Sequence, residues 1–353
     1  MSRVGIIANP ASGKDIRRLV SQATVISNYD KTGIVKRVIL GLDATGVEEI
    51  LIMPDYYGLG ARVLEALNHH ILFSKITILD FEVQGTQEDS IQAAQIMRES
   101  KVDCIITLGG DGTNRVVSKT CGEVPLIPIS TGTNNVFPAM TEGTTAGMAA
   151  GILARKVVDE RKVTATMKKL TLWSRGKEID LALVDAVMVN EAFIGARALW
   201  DLRSVKEIFL TRAELGSIGF SSIGAALQPV KTRDRYGMWI QLGSGGEKVQ
   251  APIAPGLIVE VEVKSHRLLE PGEKIPLTAS TSIVALDGER EVEVNTTDQL
   301  ELSLSLDGPR VGDIRKILQG AMKKGFFRVE GKWGKNRGQG SKPPNHLDLL
   351  PRR

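Results

Sequence analysis

Asp103-Cys104-Ile105-Ile106-Thr107-Leu108-Gly109-Gly110-Asp111-Gly112-Thr113-Asn114-Arg115 is the stretch on which the fold turns. Residues 103–108 form a short run rich in apolar side chains, with no alternation of polar and apolar positions. Such a run reads as a strand covered on both faces, as in a parallel sheet. Two glycines, an aspartate and a third glycine follow, and residues 113–120 have helical spacing. Glycines at that point let backbone N–H groups approach an oxyanion closely. The helix N-terminus behind them adds roughly half a positive charge. Thr113 suits the helix N-cap. Asp111 is the unexpected member, because a carboxylate beside a polyphosphate is repulsive. It fits if it takes a proton from an acceptor hydroxyl or helps to hold Mg²⁺. The plain alternative is an Asp-Gly turn.

Outward from this stretch, residues 4–8, 49–53, 76–79 and 126–129 repeat the short apolar pattern. Residues 61–70 and 89–100 have helical spacing between them. Alternation of strand and helix predicts a Rossmann-like α/β domain over residues 1–160, with ligands at the carboxyl ends of its strands. Two more loops fall at such ends. Asn9, Ser12, Gly13 and Lys14 follow the first strand, and Thr131, Gly132, Thr133 and Asn134 follow the fifth. Hydroxyls, amides and glycines suit phosphate oxygens, and three such loops on one sheet can face one crevice. Two other motifs fail. A Walker A loop ending at Gly13-Lys14 would need glycine at Ala8 and a hydroxyl at Asp15. A dinucleotide fingerprint starting at Gly58-Leu59-Gly60 has Val63 at its third glycine.

Beyond residue 160 strand patterns dominate, at 170–173, 181–189, 237–242, 257–263, 281–286 and 300–306. They predict an all-β, sandwich-like second domain over residues 161–310. Residues 196–215 have helical spacing, and so do 313–327, which predicts a segment over 311–330 that returns to the first domain. Residues 331–353 read as a basic, mobile tail, or as an arm that docks on a partner subunit.

The 353 residues carry a net charge of +4. That is too little to mark a nucleic-acid binder. It is also uneven, with 11 Lys and Arg against 3 Asp and Glu from residue 311 on, and 34 against 38 before it. The mildly acidic body leaves phosphate binding to local loops. Two cysteines, Cys104 and Cys121, make no disulfide framework and point to a reducing compartment. No apolar run approaches the roughly 18–20 residues of a membrane span, and 4–8 is too short for a signal peptide. A soluble, cytoplasmic protein is expected, with small-molecule substrates and neither nucleic-acid nor membrane partners. His69, His70, His266 and His346 have no ligand spacing, so no protein-held metal site is expected.

Gly109-Gly110-Asp111-Gly112-Thr113 after a hydrophobic strand resembles the signature of the superfamily that joins NAD kinases, diacylglycerol kinases and sphingosine kinases. Asn190-Glu191, after Val187-Met188-Val189, is similar to the Asn-Glu/Asp pair of NAD kinases. Residues 217–222 stand where that family has a Gly- and Ser/Thr-rich loop. Pro252-Ile253-Ala254-Pro255-Gly256 is similar to its Pro-Ile-x-Pro-His, with glycine where histidine is usual. Asp287-Gly288 stands where a late Asp-Gly occurs. Met53-Pro54-Asp55 and residues 131–135 bring the chain nearest to the NAD-kinase-like group named for acetoin catabolism protein X.

The resemblance spans residues 3–330. It implies a cleft between the two domains that binds ATP, Mg²⁺ and an acceptor, in a protein expected to be a homo-oligomer. Gly109, Gly110, Gly112 and Thr113 would hold phosphate oxygens, and Asp111 would activate the acceptor hydroxyl or organise the metal. Lys14 or Arg115 would supply a point charge. Asn190 and Glu191 would bind the hydroxyls of a ribose or similar polyol, with Asp287 divided between a hairpin turn and the acceptor site. NAD is the acceptor the resemblance implies first. A kinase of a small hydroxylated metabolite and a non-catalytic nucleotide-binding regulator remain as alternatives.

Overall fold

In a computed structural model, residues 1–12, 24, 26–189, 202, 204–277, 282–288, 290–294 and 299–328 are described. Five parallel strands carry the apolar runs of the first part: β1 (Arg3–Ala8), β2 (Glu49–Ile52), β3 (Lys75–Ile78), β4 (Cys104–Gly109) and β5 (Leu126–Ser130). All of β4 and β5, and all but the first residue of β1, are buried, so these strands show no alternation. Their order is β3-β2-β1-β4-β5. The chain thus moves outward from β1 in one direction and then restarts on its other side, so a switch point lies between β1 and β4.

Four helices link these strands, α1 (Asn28–Ala44), α2 (Leu59–Leu67), α3 (Gln87–Glu99) and α4 (Asp111–Ser118), and a fifth, α5 (Gly143–Ala154), follows β5. One apolar core joins α1, α2 and α5 to one face of the sheet, and another joins α3 and α4 to the opposite face. Gly58-Leu59-Gly60 opens α2, and Val63 is buried in the first of these cores. Packing, not a pyrophosphate, occupies the place of the third glycine.

After α6 (Glu160–Val163) and β6 (Thr164–Thr166) come β7 (Lys169–Ser174), β8 (Lys177–Ala182), β9 (Asp185–Val189) and β10 (Val205–Leu210). A short helix, α7 (Phe220–Leu227), leads to a long hairpin of β11 (Gly237–Ala254) and β12 (Leu257–Leu269). Next are β13 (Lys274–Pro276), β14 (Ser282–Leu286), β15 (Arg290–Val294) and β16 (Leu300–Ser305). They form two antiparallel sheets, β12-β11-β10-β9-β14-β15 and β13-β16-β7-β8. Leu170, Leu302, Met188, Phe209 and Val284 fill the space between these sheets. Finally β17 (Arg310–Gly312) pairs in parallel with β5 and antiparallel with β6, and α8 (Ile314–Lys323) buries Ile317 and Ala321 in the core of the first sheet.

Three readings need correction. Residues 205–210 are a strand, not part of a helix over 196–215. Ile208 and Leu210 pack toward α7 while Phe209 packs between the two sheets. Both faces of β10 are therefore covered, and its apolar residues mimic helical spacing. The rest of that stretch, apart from residues 202, 204 and 211–215, lies outside the described residues. Helix α4 begins at Asp111 with Gly110 as N-cap, so Thr113 sits inside the first turn and is not the cap. Helices α1 and α5, and the short α7 (Phe220–Leu227), have no counterpart in the periodic patterns read above.

Candidate active site

Three loops meet at the carboxyl ends of β1, β4 and β5. The Asn9 N–H donates to Leu108 O at 3.1 Å, and its side-chain Nδ2 donates to Thr113 Oγ1 at 3.1 Å. Ser12 Oγ lies 3.0 Å from Thr131 Oγ1, and the Thr131 N–H donates to Gly109 O. Thr133 Oγ1 accepts the Thr24 N–H. Side chains that look like separate phosphate ligands in the sequence thus hold one another in register. Lys31 of α1 anchors the first loop from beneath, its buried ammonium donating to Asn9 O at 2.9 Å and Ser12 O at 2.8 Å. Sequence reading missed Lys31. The signal was its position on the buried stripe with Ile34, Val35 and Val38.

Beside these loops a cavity of about 330 Å³ is lined by Asn9, Asp55, Thr86, Gly112, Thr113 and Arg115. Its carboxylates are already engaged. Asp55 accepts the N–H groups of Tyr57 and Leu59, and buried Asp89, on the same wall, accepts those of Gln84 and Gly85. The first turn of α4 also lines this cavity, at Gly112 and Thr113, and turns the positive end of the helix dipole toward it.

Asp111, in that same turn, faces a second cavity. This one is narrow, about 30 Å³, and lies where the sheet meets the β sandwich. Asp111, Asn134, Asp185, Ile253 and Asp287 line it, together with Gly219 at the start of α7. The Asp111 carboxylate accepts the N–H groups of Val136 at 3.1 Å and Phe137 at 2.7 Å, which fixes its direction. Asn134 Oδ1 is buried and lacks a hydrogen-bond partner among the described residues.

Asp287 takes the hairpin-turn position and also lines the narrow cavity. It occupies the β14–β15 turn at a φ of 50°, and its buried carboxylate accepts N–H groups from Leu183, Val184 and Asp185. Burial pushes its pKa up, against those three donors and the charge of Arg115. Arg212, unread in the sequence, is buried with its guanidinium 5.4 Å from the Phe137 ring centre. Burial depresses its pKa, opposed by Glu214, Asp111 and Asp287. No spacing flagged it, because it follows β10 in a stretch misread as helix.

The loosely matching later segments gather at the same place. Ile218, Gly219 and Phe220 line the narrow cavity beside Ile253, and the Gly219 N–H donates to Pro252 O. Gly256, where histidine is usual in the family resembled, turns the β11–β12 hairpin at a φ of 76°. That conformation favours glycine. Gly13, Lys14, Asn190 and Glu191 lie outside the described residues.

Arg115 does not stand free as a phosphate charge. It is buried on the wall of the larger cavity, and its Nη1 pairs with Asp180 of β8 at 3.0 Å. Lys119 Nζ meets the same carboxylate at 2.6 Å. Burial pushes the Asp180 carboxyl up, but the Lys119 hydrogen bond and the Arg115 charge outweigh it and hold it below its usual range. Helix α4 is thereby tied to the β sandwich directly behind the site.

Known proteins share both halves of the chain. Residues 4–157 match the family model of the ATP-NAD kinase N-terminal domain, and residues 168–307 match that of the acetoin catabolism protein X C-terminal domain. Acetoin catabolism protein X of Cupriavidus necator is 40% identical over 316 residues, which cover 85% of this chain and 87% of that one. The chain belongs to the acetoin catabolism protein X family. Yeast NADH kinase, solved in complex with NADH, aligns at a TM-score of 0.44 and 11% identity, over 94% of this chain and 89% of that one. The family boundary between residues 157 and 168 falls on α6 and β6, where the chain leaves the first sheet for the sandwich. No helix among the described residues is long and apolar enough to cross a membrane.

Proposed function

We propose that this acetoin catabolism protein X family member is an ATP-dependent phosphotransferase, acting on a hydroxyl of NAD or a related acceptor. One observation carries the reading: a single turn of α4 presents Gly112 and Thr113 to a nucleotide-sized crevice and Asp111 to the interdomain cavity. Phosphoryl transfer asks mainly for positioning and charge neutralisation, and this turn supplies both at a boundary between two compartments. The match to the ATP-NAD kinase N-terminal domain supports the donor half of the reading.

In this reading the polyphosphate of ATP lies over the first turn of α4. Asn9, Ser12, Gly13, Lys14, Gly109, Gly110, Gly112 and Thr113 form its cradle, with Thr131, Gly132, Thr133 and Asn134 closing one side. The acceptor lies against Asn190, Glu191 and Asp287. Its hydroxyl oxygen attacks the γ-phosphorus as the bond to the β–γ bridging oxygen breaks, ADP leaves, and the hydroxyl proton passes to Asp111. Mg²⁺ supplies charge neutralisation on the phosphates when bound, and the unpartnered Asn134 Oδ1 beside Asp111 is an oxygen donor of the right kind for it. The small size of the acceptor cavity suits a single hydroxyl-bearing group, so acetoin-pathway alcohols belong in the test beside NAD.

The experiment is a kinase assay on the purified protein with ATP, Mg²⁺ and a panel of NAD, NADH and small hydroxylated metabolites, with product read by mass spectrometry. Asp111→Asn is expected to lower turnover at least ~10²-fold with nucleotide affinity nearly unchanged. Near-normal turnover in that variant would sink the role of Asp111. Tight ATP binding without turnover on any acceptor would replace the kinase by a nucleotide-binding regulator.

A further inference from the structure

A third cavity, of about 330 Å³, opens where the β6–β17 edge of the first sheet meets the sandwich. One wall is β6, β17 and the start of α8, and the other is Lys168 with the loop over residues 232–235. Four cationic side chains line it, Lys168, Arg233, Arg235 and Lys316, against two carboxylates, Asp234 and Asp313. Both carboxylates already have work. Asp234 accepts the Lys231 N–H at 2.7 Å, and Asp313 caps α8 and pairs with Lys316 at 3.2 Å. Neither Arg233 nor Arg235 forms an ion pair with a described residue. Glu214, the other carboxylate felt by Lys168, lies off the cavity wall and accepts the N–H and hydroxyl of Thr232.

Lys168 is the built part of this site. It is only 5% exposed, and its ammonium donates to the carbonyls of Lys231 at 3.0 Å and Tyr236 at 2.8 Å. Those two bonds close the loop that carries both arginines, yet neutral carbonyls leave the charge uncancelled. A surplus of two positive charges thus faces one concave space of small-molecule size. Loop position adds a consequence. Val230, just before the loop, exchanges both backbone hydrogen bonds with Ala213, the neighbour of Arg212, whose charge acts on Asp111 and Asp287.

We propose that this cavity binds a small dianion of the phosphate-monoester class, at a site separate from the nucleotide crevice. The charge of such a ligand matches the surplus, and its oxygens meet the two arginine forks with charge-assisted hydrogen bonds. Because one wall belongs to each part of the chain, the bound anion bridges the first sheet and the sandwich.

Isothermal titration with glycerol 3-phosphate and with inorganic phosphate tests it, on wild type, the exposed double variant Arg233→Ser/Arg235→Ser, and Asn9→Ala in the nucleotide crevice. Affinity should fall tenfold or more in the double variant and stay within twofold in Asn9→Ala. An unchanged double variant, or no binding to wild type, overturns the proposal. A crystal soaked in tungstate separates the sites directly. An anomalous peak between Lys168 and Arg235 supports it, and a peak solely at the first turn of α4 overturns it. Neither measurement depends on turnover, so a protein without kinase activity gives the same two answers.

Discussion

Single residues in this chain combine fold and chemistry in the same atoms. Asp111 and Asp287 each satisfy backbone N–H groups that would otherwise be buried unpaired, and both line the narrow cavity between the sheet and the sandwich. The sequence exposed the first through its glycines and left the second open, since an Asp-Gly pair serves a hairpin equally well. Lys168 and Arg212 escaped because a lone buried cation has no spacing signature, and Lys31 was marked only by its place on the buried stripe of α1; the fold alone brings carbonyls or carboxylates to them. Lys168 gives a sharp test of that kind of residue. Burial first, then repulsion from Arg212, lowers its pKa from 10.5 to about 8. The folded protein therefore binds fewer protons than the unfolded chain between those values, so stability rises with pH across that window. Lys168→Met has no such titration. The unfolding free energy of wild type minus that of Lys168→Met should grow by on the order of 1–2 kcal/mol from pH 7.5 to 9.5. Urea denaturation at the two pH values measures it, and a pH-independent difference would refute the burial of a charged amine.

Elements differ in how plainly they announce themselves. β1, β4 and β5 are legible because a strand covered on both faces needs an unbroken apolar run. α5 is not, because its packing surface is a stripe of Gly143, Gly147 and Gly151. These residues bury little side chain, so no apolar periodicity arises, yet they bring α5 against α1 backbone to backbone. A Cβ added to Gly147 would lie 2.2 Å from Val38 O, whereas one on Gly33 of α1 would meet nothing nearer than Arg37 Nη1 at 3.6 Å. The same substitution should thus have opposite signs. Gly33→Ala gains helix propensity and raises stability by up to ~1 kcal/mol. Gly147→Ala has the same propensity gain, but forcing the helices apart costs more, and a net loss of about 1–3 kcal/mol is expected. Thermal and chemical denaturation of the two variants decides it; equal signs would mean that α1 and α5 do not touch as described.

At the scale of the whole molecule, the question is what holds the two cavities on either side of the first turn of α4 at a fixed distance. Charge composition could not answer it. An acidic body and a basic C-terminal segment were visible in the sequence, but not that one buried carboxylate joins the two halves. Asp180, from the sandwich, takes Arg115 of α4 and Lys119 at its C-cap, and the same helix carries Asp111. Any shift of the sandwich is therefore transmitted to the turn that carries Asp111, Gly112 and Thr113. Asp180→Asn removes the charge and keeps the shape. Breaking a buried pair by neutralising one partner costs about 3–5 kcal/mol, because the remaining guanidinium stays buried without its counter-charge. The sign with pH follows from the lowered carboxyl. A folded-state pKa below the ordinary 3.8 gives stability that is present above that value and lost as pH falls through the folded value. The gap between wild type and Asp180→Asn should accordingly be flat from pH 6 to 8 and close in acid. Guanidinium melts across that range read the gap. A gap that persists unchanged to the lowest pH at which wild type folds would show that Asp180 acts by packing and not as the charged joint between the two halves.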